Sequence, residues 1–235
     1  MAIATVGYDK KAIHGDSLLL SLPFREQIQA VLCDRAKPHH PVLGNISWAT
    51  LPSGLGVLSL DGATEYADCL AVNCADLDFT TEDYSIVGWI NYQASMQSQI
   101  VVGRYGVDLD GWEVYLYSVN NTLSLRHHHA SLVPARTGCY SEGWTTGAWH
   151  LFGISRSGAY PLMYRNGEEL EMAYTVGGLS DPDACNRDLV IGVRYTKNAD
   201  WYKGCLALLR IWGGRALEPW EHKQIYEMER HWFVS

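Results

Sequence analysis

Residues 162–170 have the sequence Leu-Met-Tyr-Arg-Asn-Gly-Glu-Glu-Leu, and this stretch decides the fold. Two runs of strand-forming residues meet at the dipeptide Asn166-Gly167. A type I′ turn requires positive φ at both of its central residues, and Asn and Gly tolerate that conformation best. The stretch therefore predicts two antiparallel strands joined by a two-residue turn.

Strand patterns continue on both sides of this hairpin. Short runs of strand-forming residues, separated by turn residues, occupy 57–60, 84–92, 99–104, 112–117, 122–127, 148–155, 159–165, 169–176, 188–194 and 203–212. Regular short strands of this kind indicate two packed antiparallel sheets rather than parallel β-α-β units. Residues 18–22 have the pattern of a first strand, and residues 36–56, rich in Pro and Gly, predict a long loop.

Alternation of apolar residues assigns the faces of two of these strands. It places Trp112, Val114 and Leu116 on one face, and residues 205, 207, 209 and 211 together on another. A helical pattern then begins at Pro219 and ends near Trp232. The predicted fold is all-β: a two-sheet antiparallel jelly-roll sandwich with a short C-terminal helix.

Composition is consistent with a single domain and excludes several functions. The chain has 235 residues, of which 47% are hydrophobic and 19% charged, and its formal net charge is −8. An acidic chain without a basic cluster argues against nucleic-acid binding, and no apolar run is long enough to span a membrane. Residues 1–16 lack periodicity and predict an extended N-terminal arm, and residues 17–235 predict the sandwich. No export signal is recognisable at the N-terminus.

The six cysteines are compatible with two states. An even number suggests disulfides, whereas a chain made in a cytosol and lacking an export signal is expected to keep reduced thiols. Cys69 and Cys74 flank a short loop and are the pair that could form a bridge after oxidation.

The order of these motifs resembles the laminin-G-like, concanavalin A-like lectin/glucanase superfamily. The motifs that carry the resemblance lie at 20–26, 58–66, 78–90, 149–156, 162–170, 189–192 and 202–212, and the likeness extends from about residue 18 to 232. The resemblance implies the sandwich fold. It does not fix the function, because this fold supports enzymes, lectins and structural modules.

One triplet has the spacing of a catalytic motif. Asp108, Asp110 and Glu113 are similar to the E-x-D-x-x-E motif of laminarinase-type relatives, in which two carboxyl groups cleave a glycosidic bond. The first residue here is Asp, and Gly111 predicts a turn before the Trp112 strand. We therefore expect no catalytic residues and no enzymatic activity.

Metal binding is a second implication of the resemblance, because many relatives hold one calcium ion at the rim of the sandwich. Asp61 lies at the matching position, and Asp108 and Asp110 lie in another loop, so these three carboxylates are the candidate calcium ligands. A role for Asp61 in capping a turn is the alternative. His127 and His129 share one face of a strand, but the spacing shows no third ligand for zinc.

Two loops combine aromatic and polar residues in a way that suits sugar recognition. Sugar rings stack on aromatic faces, and polar groups bind the hydroxyls. The candidate glycan- or partner-binding residues are Tyr140, Trp144, Tyr195, Asn198, Asp200 and Trp201. Burial against each other or against a neighbouring subunit is the alternative for these side chains, since exposed aromatic patches mark interfaces of either kind.

The sequence thus predicts a non-catalytic binding or structural module. The family resemblance and the lack of an export signal suggest a bacteriophage virion surface protein: a capsid decoration, fibre or adhesin subunit that docks on the virion or on sister subunits through its arm. A homo-oligomer or particle-bound state and a cell-surface glycan are the expected partners. A glycoside hydrolase of laminarinase-like fold, or an extracellular bacterial lectin or adhesin domain, is the alternative.

Overall fold

The structure is a computed structural model that describes residues 15, 17–24, 32, 34–37, 39, 42–117 and 119–233. The strands within these ranges are β1 (Leu18–Leu22), β2 (Val42–Leu43), β3 (Ser47–Thr50), β4 (Gly56–Asp61), β5 (Ala67–Cys69), β6 (Tyr84–Tyr92), β7 (Ser98–Gly106), β8 (Asp110–Tyr117), β9 (Thr122–His128), β10 (Arg136–Ser141), β11 (His150–Arg156), β12 (Leu162–Arg165), β13 (Glu168–Glu169), β14 (Ala173–Tyr174), β15 (Leu189–Ile191) and β16 (Lys203–Gly213). The α-helix α1 (Pro219–Glu229) follows, and short 3₁₀ turns occupy Ala71–Asn73, Ala75–Leu77 and Arg230–Trp232.

These strands form two antiparallel sheets. The first sheet has the order β13-β12-β11-β6-β16-β4-β3, with β1 paired to β16, and the second has the order β14-β10-β9-β8-β7-β15-β5-β2. The predicted hairpin joins β12 to β13, with Arg165 opposite Glu168 and with positive φ at Asn166 and Gly167. The jelly-roll prediction is confirmed.

The main hydrophobic core lies between the two sheets. Trp112, Val114 and Leu116 of β8 are buried in it, as their alternation predicts. A second apolar layer lies on the other side of the first sheet, where Ile225 of α1 packs with residues of β6 and β16. One face of the second sheet remains outside both layers, and this face is called the outer face below.

The helix is fixed to the first sheet by a buried polar contact. Its N-terminus has a capping box between Glu218 and Glu221, with Pro219 in the first turn. Near its C-terminus, the buried carboxylate of Glu229 accepts a hydrogen bond of 2.8 Å from Trp89 Nε1 and pairs with Arg210. Among the described residues, no helix combines the length and apolarity needed to cross a membrane.

Several local predictions are wrong. Residues 169–176 do not form one strand, because the chain passes from the first sheet at β13 to the second sheet at β14 within this segment. The segment that includes Tyr140 is strand β10 rather than a loop. In β16 the predicted single face is broken: the register shifts between Ala207 and Arg210, and residues 205 and 207 face the helix layer whereas 209 and 211 face the main core.

Two predictions concern segments that are only partly described. The N-terminal arm, residues 1–16, lies outside the described residues apart from Gly15, and Cys33 lies outside them as well. None of the five cysteines in the described part of the chain forms a disulfide.

Candidate functional site

Polar side chains are concentrated on the outer face of the second sheet, at its central strands. Glu113 and Tyr115 of β8 alternate with the core residues of that strand, and Arg126 and His128 of β9 do the same. Glu113 lies directly opposite Arg126 in the strand register. Alternation along two neighbouring strands therefore brings an acid, a base and an aromatic ring together on one surface.

The loop after β15 covers part of this surface. The amide of Ile100 donates to the carbonyl of Asp200 over 3.0 Å, which ties the end of the loop to β7. The Tyr195 ring meets the Tyr105 ring edge-on, with centroids 5.3 Å apart. Residues 193–201 thus pack on the outer face and remove from water side chains that the strand pattern alone would leave exposed.

An ion pair holds the tip of the loop. The ammonium of Lys197 contacts the carboxylate of Asp68 on β5 and lies 3.2 Å from Asp188 Oδ2. Partial burial lowers the pKa of Lys197, but these two carboxylates outweigh it and raise the pKa overall. Lys197 and Asp200 both adopt positive φ, a conformation that costs non-glycine residues energy and is found preferentially at functional sites.

Glu113 is the centre of the polar network beneath this loop. Its Oε1 accepts hydrogen bonds from Arg126 Nη1 at 2.9 Å and from His128 Nε2 at 3.1 Å. The His128 Nδ1 atom accepts the backbone N–H of Asp108 at 3.2 Å, so the network assigns the proton of a neutral ring to Nε2. The His128 ring also stacks on Tyr105, with centroids 5.2 Å apart. Glu113 is therefore buried with its charge compensated.

The network shifts the pKa values of two carboxyl groups in opposite directions. Burial raises the pKa of Glu113, but the hydrogen bond from His128 and the charge of Arg126 outweigh it, so the pKa lies below its usual value. Burial raises the pKa of Asp200, and the negative charge of Glu113 adds to this increase despite the opposing charge of Arg194. Glu113 is thus held as a carboxylate, whereas Asp200 keeps its proton to a higher pH than an isolated aspartate does.

These groups surround one cavity of about 120 Å³, which we name the outer-face pocket. Its lining combines aromatic, acidic and basic side chains, and consists of Ser98, Ile100, Tyr105, Val107, Glu113, Tyr115, Arg126, Arg136, Arg194 and Asp200. The guanidinium of Arg126 lies 4.3 Å from the centroid of the Tyr115 ring and also contacts the Tyr115 hydroxyl. Aromatic faces and fixed hydrogen-bonding groups thus line the same small cavity.

The structure divides the sequence-predicted binding residues between two places. Asp200 lines the outer-face pocket, and Tyr195, Asn198 and Trp201 belong to the loop beside it. Asn198 is exposed, and its Oδ1 accepts the Thr196 hydroxyl at 2.5 Å. The Trp201 ring packs near Tyr66, with centroids 6.0 Å apart.

The other two predicted binding residues lie elsewhere. Tyr140 lines a separate cavity with Glu142, Glu171 and Met172. The expectation that Trp144 offers an accessible ring is wrong, because this side chain is 0% exposed in the main core and its Nε1 donates to Ser141 Oγ at 3.0 Å.

The candidate calcium ligands each have partners within the protein. Asp61 Oδ1 accepts the backbone N–H groups of residues 63, 64 and 65 at 2.8–3.1 Å, and these bonds lower its pKa to about 2 even though burial opposes the change. Asp108 pairs with Arg136 at 3.3 Å and Asp110 with Arg187 at 2.9 Å.

The calcium site stays a prediction, and these contacts compete with it. The arginines beside Asp108 and Asp110 oppose a second cation there. The described residues contain no group of three or more His, Cys, Asp or Glu side chains that could hold a metal. The calcium prediction rests on the family resemblance alone. His127 faces the core, where its Nε2 bonds the Tyr84 hydroxyl at 2.6 Å and burial lowers its pKa to about 3.

Sequence reasoning missed much of the outer-face pocket. The sequence alone does not single out Tyr115, Arg126, His128 or Arg194. It presents Glu113 only as part of an incomplete catalytic triplet. The available signal was weak: on β8 and β9 these residues occupy the polar positions of an alternating pattern, which is typical of a solvated strand face.

Comparison with protein families places the chain by sequence. The family model described as the concanavalin A-like lectin/glucanases superfamily, of laminin G type, matches residues 64–221. A comparison with curated proteins gives no match.

Solved structures are similar in fold. The binding domain of botulinum neurotoxin serotype D aligns with 91% of this chain and 51% of its own length, with a TM-score of 0.68 and 16% identity. The binding domain of botulinum neurotoxin DC, solved in complex with rat synaptotagmin II, gives a TM-score of 0.64 at 12% identity. The same domain in complex with SialylT gives a TM-score of 0.64 at 13% identity. Each of these two alignments covers 91% of the present chain and 52% of the neurotoxin domain. The chain thus spans about half the length of these structures.

Proposed function

The chain belongs to the concanavalin A-like lectin/glucanase superfamily, and we propose that it is a non-catalytic module that binds a glycan in the outer-face pocket. The observation that carries this proposal is the lining of that pocket. Tyr115 supplies a partly buried aromatic ring, while Arg136, Arg194 and Asp200 supply donors and acceptors suited to sugar hydroxyls. The strands and the tethered loop hold these groups in place before a ligand arrives, which reduces the cost of ordering them on binding.

The state of the carboxylates supports a binding role over catalysis by the triplet. Glu113 accepts hydrogen bonds from Arg126 and His128 and is held as a carboxylate, which argues against a role as proton donor. Asp108 and Asp110 pair with Arg136 and Arg187 respectively. A retaining glycosidase needs two carboxyl groups facing one bond, and these contacts engage the three members of the triplet separately.

The biological setting is the second part of the proposal. The resemblance supports a bacteriophage virion surface protein, a decoration, fibre or adhesin subunit, that presents the pocket to a cell-surface glycan. A bacterial lectin or adhesin domain uses the same pocket in the alternative setting outside the cell. Docking on the virion or on sister subunits through residues 1–16 belongs to this proposal.

Binding to a glycan array tests the proposed function. The wild-type protein should bind at least one glycan, and Tyr115→Ala should weaken that binding about tenfold, because an aromatic anchor contributes roughly 1–3 kcal/mol. Tyr160→Ala is the matched control, since Tyr160 is exposed and lines a different cavity. Equal binding by the wild type and Tyr115→Ala would place the ligand elsewhere, and absence of binding to any glycan would overturn the proposal.

One observation favours a second function, glycoside hydrolysis. Glu113 and Asp200 face the same pocket with opposite pKa shifts, and hydrolysis of a glycosidic bond needs one ionised and one protonated carboxyl group. The purified protein should be incubated with β-glucans, agars and bacterial polysaccharides. Release of reducing ends that disappears in both Glu113→Gln and Asp200→Asn would establish hydrolysis and replace the binding proposal.

A further inference from the structure

Basic side chains are concentrated in the lining of the outer-face pocket, although the chain is acidic. The whole protein has 18 basic and 26 acidic residues and a formal net charge of −8. The pocket lining nevertheless contains three arginines, Arg126, Arg136 and Arg194, against two carboxyl groups, Glu113 and Asp200. An arginine of this group that lacks a close ion pair would favour a ligand that carries negative charge.

The three arginines differ in how firmly they are engaged. The guanidinium of Arg126 is held by partners within the protein: it pairs with Glu113 at 2.9 Å, contacts the Tyr115 hydroxyl and stacks on the Tyr115 ring. Arg136 is half-exposed and pairs with Asp108 at 3.3 Å. Arg194 has the weakest contacts: its Nη1 lies 3.7 Å from Asp200 Oδ2, beyond hydrogen-bonding distance, and its Nε is buried without a hydrogen-bond partner.

We propose that the outer-face pocket selects an acidic sugar and that Arg194 binds the carboxylate of this sugar. This inference rests on the proposed glycan site. A planar guanidinium presents paired N–H donors that match the two oxygens of a carboxylate. A ligand oxygen at Arg194 gains such donors without breaking a close ion pair. Arg194 is also positioned for this role, because Lys197 fixes the tip of its loop and Asp200 fixes the end.

The charge of the pocket also limits which anion it takes. Arg126 pairs with Glu113 and Arg136 with Asp108. Arg194 therefore offers one positive charge, which a ligand with one negative charge neutralises. A doubly charged phosphate would add an uncompensated charge beside Glu113, which is held as a carboxylate. Asp200 remains as an acceptor for a hydroxyl group, which a sugar supplies. A hexuronate residue within an oligosaccharide meets both requirements.

Two oligosaccharides that differ only in carrying a carboxylate or a neutral hydroxymethyl group on each sugar ring test the inference, which requires one of these carboxylates to reach Arg194. The β-1,4-linked tetramer of glucuronic acid and cellotetraose share a backbone, and each is titrated into the protein by isothermal calorimetry. The wild type should bind the acidic tetramer at least tenfold more tightly, and raising the salt concentration should weaken the acidic ligand more than the neutral one. Arg194→Gln should remove the preference for the acidic tetramer. Arg194→Lys keeps the positive charge but lacks the paired N–H donors, and it should retain part of the preference.

Arg230→Gln is the matched control. It also removes one guanidinium from a partly exposed ion pair, with Glu227, but it lies beyond the helix on the other side of the first sheet. This variant should bind the acidic tetramer as the wild type does, and the melting temperature of each variant verifies folding. Equal or tighter binding of cellotetraose would overturn the acidic-sugar inference and leave the glycan-binding proposal standing. Loss of the preference in Arg230→Gln would overturn the assignment to Arg194. No binding of either tetramer, together with a negative glycan array, would overturn both proposals.

Discussion

Substitution of Glu113 by Gln should destabilise the protein in a pH-dependent way. The substitution keeps the shape of the side chain but removes the charge that Arg126 and His128 contact at 2.9 and 3.1 Å. A hydrogen bond to a charged group contributes about 1.5–3 kcal/mol, and the amide oxygen of Gln retains part of these interactions. At pH 7 we expect the free energy of unfolding to decrease by about 2–3 kcal/mol.

The pH dependence follows from the direction of the Glu113 pKa shift. The folded protein lowers this pKa from its ordinary value of 4.5. Such a carboxyl contributes stability that is fully present above the pKa of the unfolded chain and is lost as the pH falls through the lower pKa of the folded state. The difference between wild type and Glu113→Gln should therefore be largest near neutral pH and should shrink as the pH falls below about 4.5.

Urea denaturation followed by tryptophan fluorescence, repeated at several pH values, measures this difference. Glu227→Gln is the control, because Glu227 is exposed on α1 and pairs only with exposed side chains. That change should alter stability by no more than about 0.5 kcal/mol. A Glu113→Gln variant as stable as the wild type at pH 7, or one whose deficit is unchanged in acid, would refute the assignment of a buried, charge-compensated carboxylate.

Four further predictions concern the core, the helix, the metal and the arm. Trp144→Ala should lower stability by about 3–5 kcal/mol, as expected for a large buried side chain; denaturation that shows a loss below 1 kcal/mol would contradict its burial. Glu229→Ala should cost about 3–5 kcal/mol because it leaves Arg210 buried without its partner, and Glu229→Ala combined with Arg210→Met should recover part of that loss; no recovery in denaturation of the double variant would argue against the pair. A chelator should leave the melting temperature unchanged, because the Asp61 carboxylate already accepts hydrogen bonds from the backbone of its own turn. A melting temperature that a chelator lowers and calcium restores would establish a bound calcium ion. Deletion of residues 1–16 should leave the melting temperature nearly unchanged and abolish assembly on a particle or oligomer, whereas an unfolded product would assign the arm to the core.

The fold could be predicted from sequence because its signals are local. Asn166-Gly167 specifies a turn by backbone conformation alone, and alternation along residues 112–116 specifies a buried face without knowledge of the neighbouring strands. The predictions are wrong where tertiary structure interrupts the alternation of apolar and polar residues along a strand. In β16, Leu208 has a φ of 50° within the register shift, so the residues on either side of it point to opposite faces.

The site could be predicted only in part, for a related reason. The loop with Tyr195, Asp200 and Trp201 stands out because it combines aromatic and polar residues. Arg126 and Glu113 do not stand out, because a polar residue on a strand has the same pattern whether it meets water or a covering loop. Only the packing of residues 193–201 on the outer face turns these strand positions into a pocket.

The tethered loop has a consequence for how recognition could change over time. Its tethers, Lys197 and the backbone of Asp200, point to the sheet, whereas the side chains of Thr196 and Asn198 are exposed at its tip. Substitutions at these two tip positions should leave stability close to that of the wild type, because exposed sites away from such contacts usually shift it by less than about 0.5 kcal/mol. The tip is thus a place where the loop beside the pocket can diversify, by natural variation or in a selected library, while the scaffold beneath it stays constant.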